Sequence, residues 1–412
     1  MSEKPANPVR KALFTDAFVQ DPYPTYHRLL EEGPLHFVDV GGGMWGIWAV
    51  FSHAVCSAVA KDSRLSAKRI DRMLVTLPFD RQEEFKDLVR MLGMWMIFID
   101  PPEHTRMRKL MNKGFSPSAT EALRPQVEKV VDRILDSLAH VSQADLVNEL
   151  AYPMPVRVIS ELLGVPETME NSFLQWSAAI AEFNGSPGRT IEHAQNAQNA
   201  VLALTDFFRK AVAERRRNKD NDLISLLIDI EAEGEVLTEE ELYAQCVMLL
   251  FAGHETTRNL IASGIYSLLR EPEKMAELRE SPALIRTAVE EFLRFESPIQ
   301  YTARVAMEDI ALCGVRIPKA QPILCMLGAA NRDPKQFKDP DTLNLNRLNN
   351  QHLAFSAGPH FCIGSQLARM EGQVAILKIV QHFPKMRLAQ RAEWTPNFGF
   401  RGLKSLPVEF GR

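Results

Sequence analysis

The sequence predicts a mainly α protein with small β-sheets, and three observations carry that prediction. Apolar residues recur at helical spacing over most of the chain, above all in one long segment from Thr238 to Arg270. Alternating, glycine-punctuated stretches occur only around residues 30–65 and 300–330. No repeat, low-complexity segment or clear linker divides the 412 residues, so a single domain spanning 1–412 is expected.

Composition narrows the function classes. With 46% hydrophobic and 24% charged residues the chain can bury a large core. A net charge of −4 argues against nucleic acid or an anionic membrane as a bulk partner. Cys56, Cys246, Cys313, Cys325 and Cys362 are scattered and form no Cys-x-x-Cys pair. That excludes a disulfide framework or structural zinc site and fits a reducing, cytoplasmic compartment. The polar, proline-broken N-terminus carries no signal segment, and no apolar run nears the roughly 20 residues that span a bilayer. A monomer with no membrane partner is expected.

Taken in order, a polar arm precedes a short helix from Tyr23 to Glu32. Leu35–Val40 and Met44–Val50 flank Gly41-Gly42-Gly43 as a hairpin, and a short helix around Ala54–Lys61 follows. Residues 64–95 have no sustained period and read as a long, partly helical binding loop. Asp100-Pro101-Pro102-Glu103 predicts a helix start with Asp100 as N-cap. That helix sets His104 and Arg108 four apart on one face, where two inward cations suit an anion; a solvated basic face is the plainer alternative.

Residues 118–217 read as helical throughout, broken near Pro153, Pro166 and Gly185-Ser186-Pro187-Gly188. The last break suits a lid over a pocket, or ordinary packing. Thr238-x-x-Glu241 is a capping box that opens a helix of about 30 residues, roughly 50 Å long. Its middle, Cys246–Ala252, is apolar all round and so predicted buried. The polar run Gly253-His254-Glu255-Thr256-Thr257-Arg258 then interrupts it, and a Thr256 bond to the Ala252 carbonyl would open a notch. His254-Glu255 is not a zinc protease motif, because Arg258 stands where the second histidine is needed. Ser281-Pro282 caps a helix to about Phe295 that carries Glu291-x-x-Arg294.

Cys362 lies in Phe355-Ser356-Ala357-Gly358-Pro359-His360-Phe361-Cys362-Ile363-Gly364, just ahead of an amphipathic helix stopped by Pro384. A helix N-terminus favours the thiolate, a good soft-metal ligand. Alone, the residue reads more readily as a small buried hydrophobe.

Four motifs now stand in order: His-x-x-x-Arg at 104–108, Ala-Gly-x-Glu-Thr-Thr at 252–257, Glu-x-x-Arg at 291–294 and Phe-x-x-Gly-x-His-x-Cys-x-Gly at 355–364. Together they resemble the cytochrome P450 family of haem-thiolate monooxygenases, of the soluble bacterial type, over essentially the whole chain. The resemblance implies the cytochrome P450 fold, a triangular helix-rich domain with a small β region. It implies haem b as cofactor and dioxygen as cosubstrate. Cys362 matches the iron ligand, whose electron donation favours O–O cleavage. His104, Arg108, Arg304 and His360 match the partners of the haem propionates. Phe355 matches the aromatic packed on the cysteine loop, and Gly358 and Gly364 the glycines that let backbone approach the porphyrin. Glu291, Arg294 and Arg347 resemble a structural triad. Glu255 and Thr256 match the acid–alcohol pair that relays protons; many relatives have Asp at the first position, and either carboxylate serves.

The implied reaction inserts one oxygen atom into a mostly apolar substrate, by hydroxylation or epoxidation, as in secondary metabolism. Electrons are expected from a separate ferredoxin and ferredoxin reductase, since the chain has no dinucleotide fingerprint, with Arg106, Lys109 and Lys113 as docking candidates. The expected pocket is lined by Met248, Leu249, Ala252, Gly253, Ile299, Gln300 and Phe398. A peroxide-using peroxygenase, a rearranging or coupling enzyme and a non-catalytic haem sensor are the alternatives.

Overall fold

The long helix forms where the capping box places it. Glu239–Arg270 is one uninterrupted helix of 32 residues, with the Thr238 hydroxyl accepting from the Glu241 N–H and the Glu241 carboxylate accepting from the Thr238 N–H. The computed structural model to which it belongs describes residues 8–13, 15–39, 46–74, 77–186, 189–220, 222–232 and 237–411. Helices Pro153–Leu162, Glu170–Gly185, Ile191–Arg217, Ile285–Phe295 and Ser365–His382 all pack on the long helix. One apolar cluster runs through all of them, so burial on every side explains the all-round apolar stretch before Ala252.

The two predicted β regions join in one five-stranded sheet. Its order is Leu35–Asp39, Gly46–Val50, Pro322–Met326, Tyr301–Ala306 and Leu65–Ser66. Leu35 pairs with Val50 across the hairpin, Trp48 runs parallel to Ile323, and Arg304 pairs antiparallel with Ile323. The Gly41–Gly43 turn falls outside the described residues. A separate apolar cluster packs helix His53–Lys61 under this sheet, against Leu353 and Ala357 of the cysteine loop. The sheet thereby supports one side of that loop.

Three local expectations are corrected. Residues 118–217 are not helical throughout: Gln143–Asp145 is a strand paired with Pro407–Glu409, followed by a π turn at Val147–Ala151. A three-residue strand whose partner lies at the far end of the chain leaves no periodic trace. Asp100 does not cap the helix that starts at Glu103; its carboxylate accepts from the Ser66 hydroxyl at 2.5 Å and the Ala67 N–H at 2.7 Å. Ser281 makes no capping bond either. At the proposed lid, helix Glu170–Gly185 is tied down: the Gly185 carbonyl accepts from the Gly399 N–H at 3.2 Å. Pro187 and Gly188 of that break lie outside the described residues. Among the described residues no helix is long and apolar enough to cross a membrane.

Candidate active site

The cysteine loop is held by its own backbone. The Cys362 N–H donates to the Phe355 carbonyl at 3.0 Å, and Gly358–His360 forms a 3-10 turn between them. Ser356 (φ 61°) and Gly358 (φ 70°) both lie in the left-handed region. A Cβ on Gly358 would stand 2.8 Å from the Ala60 carbonyl oxygen. The neighbouring helix therefore requires glycine there. Phe355 is buried, with its ring 4.5 Å from the Arg369 guanidinium. Burial pushes the Cys362 thiol up, against the Gly364 N–H, Arg108 and Arg369, which pull it down. Desolvation outweighs the helix end from which a thiolate is expected.

Beside the loop, the structure gathers the four residues expected to meet propionates. The His104 and His360 rings lie 4.2 Å apart between centroids, and Arg108 donates to the Phe361 carbonyl at 2.5 Å. Arg304 is 3% exposed and donates to the Ala303 carbonyl at 2.9 Å. Their surroundings in the protein push both histidines away from the cationic form. Burial and the neighbouring Arg304 lower His360 to about 3, and burial with Arg108 lowers His104. Fixed positive charge rests on Arg108, Arg304 and a residue missed in the sequence, Arg69, which acts electrostatically on both Arg304 and His360. Nothing in Lys68-Arg69 distinguishes it from an ordinary surface pair; only the fold turns it inward.

Two ion networks, one buried and one half-buried, clamp the loop from behind. Arg294 grips Glu291 through both nitrogens at 2.7 and 2.8 Å, and Arg347 Nε completes the pair at 3.0 Å. Arg294 also donates to the carbonyls of Asn331 and Pro340, and Asn331 in turn accepts from the Leu353 N–H at 2.7 Å. The second network escapes the sequence reading. Glu290 accepts from Arg369 at 2.6 and 3.0 Å and pairs with His352 at 3.1 Å. Burial alone would raise the Glu290 carboxyl, but His352 and Arg369 outweigh it and hold it at about 2, against an ordinary 4.5. A depressed carboxyl stabilises the fold above its unfolded pKa, and that contribution is lost as pH falls through the folded one. On the order of 3 kcal/mol should disappear between about pH 4.5 and 2. Thermal unfolding of wild type and Glu290→Gln over that range checks it: the variant should lack this part of the acid slope.

On the long helix, the Thr256 hydroxyl donates to the Ala252 carbonyl at 2.9 Å, as expected, but no notch opens and the helix continues. Ala252, Gly253 and Thr256 keep partial exposure inside a buried stretch. Ala252, Cys362 and Ile363 all lie at the edge of the main apolar cluster. Glu255 is 7% exposed and bonded to Arg258 at 2.9 Å. Arg258 continues to the Leu403 carbonyl and lies 4.8 Å from the Tyr152 ring centre. His254 faces away, accepting from or donating to the Ser177 hydroxyl at 3.1 Å. Burial lowers it to about 4, so it is neutral.

The expected pocket is partly redrawn. Met248 and Leu249 are buried on the long helix, and Ile299 forms a bridge with Phe400. A Cβ on Gly253 would meet Ile159 Cδ1 at 3.2 Å, so the glycine admits helix Pro153–Leu162. Gln300 is a structural strut, accepting from the Tyr26 hydroxyl and donating to the Ser297 carbonyl, both at 2.8 Å. Phe398 packs on Phe18 and Tyr301, in the N-terminal cluster. The Asn397 side chain accepts from the N–H groups of Gly399 and Phe400, a turn that sends Phe400 the other way. Phe400, which the sequence offers only as part of the Phe398-Gly399-Phe400 turn, meets Phe251 of the long helix at 6.0 Å. Arg106 is paired with Glu241 at 2.5 Å, which binds that docking candidate to the long helix.

These residues fit haem. Its iron calls for a soft ligand, which Cys362 can supply. Its propionates call for buried donors, and His104 Nε2 and a terminal nitrogen of Arg304 are buried with no hydrogen-bond partner among the described residues. A Cβ built on Gly364, next to the cysteine, meets no atom within 4 Å. Fold and site together define the haem-thiolate class. Comparison with known proteins agrees. The Cytochrome P450 family model matches residues 77–403. The biotin biosynthesis cytochrome P450 of Bacillus subtilis (strain 168) is 37% identical over 95% of this chain and 97% of its own. Cytochrome P450 monooxygenase PikC of Streptomyces venezuelae is 39% identical over 96% and 92%. The crystal structure of P450BioI with hexadec-9Z-enoic acid ligated acyl carrier protein superposes with a TM-score of 0.89, at 36% identity, over 96% of this chain and all of that one. The chain belongs to the cytochrome P450 family. It is a haem-thiolate monooxygenase, an oxidoreductase that uses haem b and dioxygen.

Proposed function

We propose that the protein oxygenates a small, mostly apolar molecule of secondary metabolism in the cytoplasm, as a monomeric one-domain enzyme fed by a separate ferredoxin and its reductase. A haem bound on Cys362 supplies the redox chemistry that activates dioxygen. The chain's own residues then divide the remaining work. His104, Arg108, Arg304 and His360 hold the propionates. Phe355 and the Arg369 stacked on it keep water from the Cys362 sulfur, and the Gly364 N–H tempers its charge. Thr256 presents a hydroxyl on the substrate side, and Glu255 passes it protons after parting from Arg258. Ala252, Ile299 and Phe400 shape the apolar space. Lys109 on the helix that carries His104, and Lys113 in the turn after it, both exposed, meet the electron donor.

The observation that carries this reading is the cluster of buried, partnerless donors beside Cys362, in a chain of this family. Apolar substrates are supported by P450BioI, whose partner carries hexadec-9Z-enoic acid. The test is turnover of a spectrally selected ligand under isotopically heavy dioxygen with reduced ferredoxin. One heavy atom per product is expected. Turnover with peroxide and none with ferredoxin would favour a peroxygenase instead. Thr256→Ala should still bind haem and ligand, yet form product roughly a hundredfold more slowly while releasing more peroxide. Unchanged coupling would remove Thr256 from the relay.

A further inference from the structure

Two arginines near the site remain without an anionic partner after the propionates are assigned. Arg69 donates to the Ala67 and Ile97 carbonyls at 3.0 and 3.2 Å and lies 4.5 Å from the Phe98 ring centre. Arg189 donates to the Phe183 and Asn184 carbonyls at 2.7 and 3.1 Å, and Tyr301 acts on its charge. Both are partly buried, and carbonyls satisfy their N–H groups without neutralising their charge. Among the described residues neither forms an ion pair. The acid acting on Arg69, Asp100, is already engaged by Ser66 and Ala67. Burial draws Arg69 down to about 9 and lowers Arg189, but a guanidinium keeps its charge in proteins.

Their place in the fold gives the cations a use. Arg189 stands where the end of helix Glu170–Gly185, the Asn397–Phe400 turn and strand Tyr301–Ala306 meet, and Gly399 joins the three: its N–H bonds the Gly185 carbonyl, and a Cβ on it would meet Tyr301 at 3.3 Å. Arg69 comes to the same strand from its other side, three residues after Leu65–Ser66, which pairs with Val305 and Ala306. One residue on from Gly399, Phe400 reaches Phe251, next to Ala252 of the long helix. An apolar wall therefore starts at Ala252 and ends at a charged rim. Resting on the monooxygenase reading above, we infer that Arg69 and Arg189, with the Tyr301 hydroxyl, bind the carboxylate of a long-chain substrate whose hydrocarbon end lies toward Ala252. Two guanidiniums and a phenol match a planar carboxylate, each charged hydrogen bond strengthened by the low-dielectric surroundings.

The experiment titrates the haem-loaded enzyme with tetradecanoate, tetradecanol and tetradecyltrimethylammonium, following the substrate-induced spectral shift. The carboxylate should bind at least about tenfold more tightly than the alcohol, and the cation least of all. Arg189→Gln should remove that preference while leaving the alcohol's affinity unchanged, and Arg69→Gln should do the same, with haem content measured because Arg69 neighbours Arg304. The reduced carbon monoxide spectrum of each preparation separates the two levels. If its thiolate-type band is missing in wild type, the monooxygenase reading fails. If the band is present but acid and alcohol bind alike, or neither binds, or the preference survives Arg189→Gln, the carboxylate subsite is overturned and the monooxygenase reading stands.

Discussion

Cys362→Ser is expected to abolish the red-shifted Soret band of the reduced, carbon monoxide-treated protein and to eliminate oxygenation, while the chain remains folded. The backbone bonds that shape the loop, from the Cys362 N–H to Phe355 and from the Ser365 N–H to the Cys362 carbonyl, do not involve the side chain. Serine is smaller than cysteine and polar, so a stability cost of about 1 kcal/mol is expected. A hydroxyl is not deprotonated at neutral pH and is a poor donor to a soft metal, whereas the Gly364 N–H, Arg108 and Arg369 already lean on the sulfur of Cys362. The spectrum, circular dichroism and haem-to-protein ratio of the variant decide it. An unchanged band would remove Cys362 from the iron.

Glu291→Ala should have the largest effect on folding. The carboxylate and Arg294 are both 0% exposed, and Arg347 is 11% exposed. Glu291 also accepts from the Asn344 N–H and the Asn350 side chain, each at 3.0 Å. Its loss leaves two guanidiniums facing a buried, unpaired space, a change that typically costs about 3–5 kcal/mol. Against a total stability of about 5–15 kcal/mol, that is enough to leave much of the protein unfolded or unable to keep haem. Urea unfolding and haem content measure it. Arg347→Lys keeps the charge and loses only the forked geometry, so it should cost less. A Glu291→Ala midpoint equal to wild type would show that the network is incidental to the loop.

Much of the site is legible in the sequence because its chemistry is carried by short, local patterns. The capping box at Thr238 and Glu241, the Thr256–Ala252 bond and the Glu291–Arg294 pair are separated by three or four residues on a helix, and helix geometry brings each together. What depends on distant partners is not legible. Arg69 and the Glu290–Arg369–His352 network leave no periodic or motif signal. Their roles come from elements that meet only in the folded chain. Gln300 and Phe398 mislead for the same reason: the turn at Asn397 and the strut to Tyr26 decide which way they face.

By itself the sequence determined the class of the fold, the order of the motifs and the family they resemble. It also determined which residue types could ligate iron, bind anions and relay protons. Tertiary structure alone decided their states. Burial pushes the Cys362 thiol up and the two histidines down, because it removes the water that would solvate their charged forms. Gly253 and Gly358 are small because other helices touch them. The charged rim at Arg69 and Arg189 exists because a loop, a helix end and a strand converge there. Desolvation and contact are properties of the packed molecule, and no local pattern of residues encodes them.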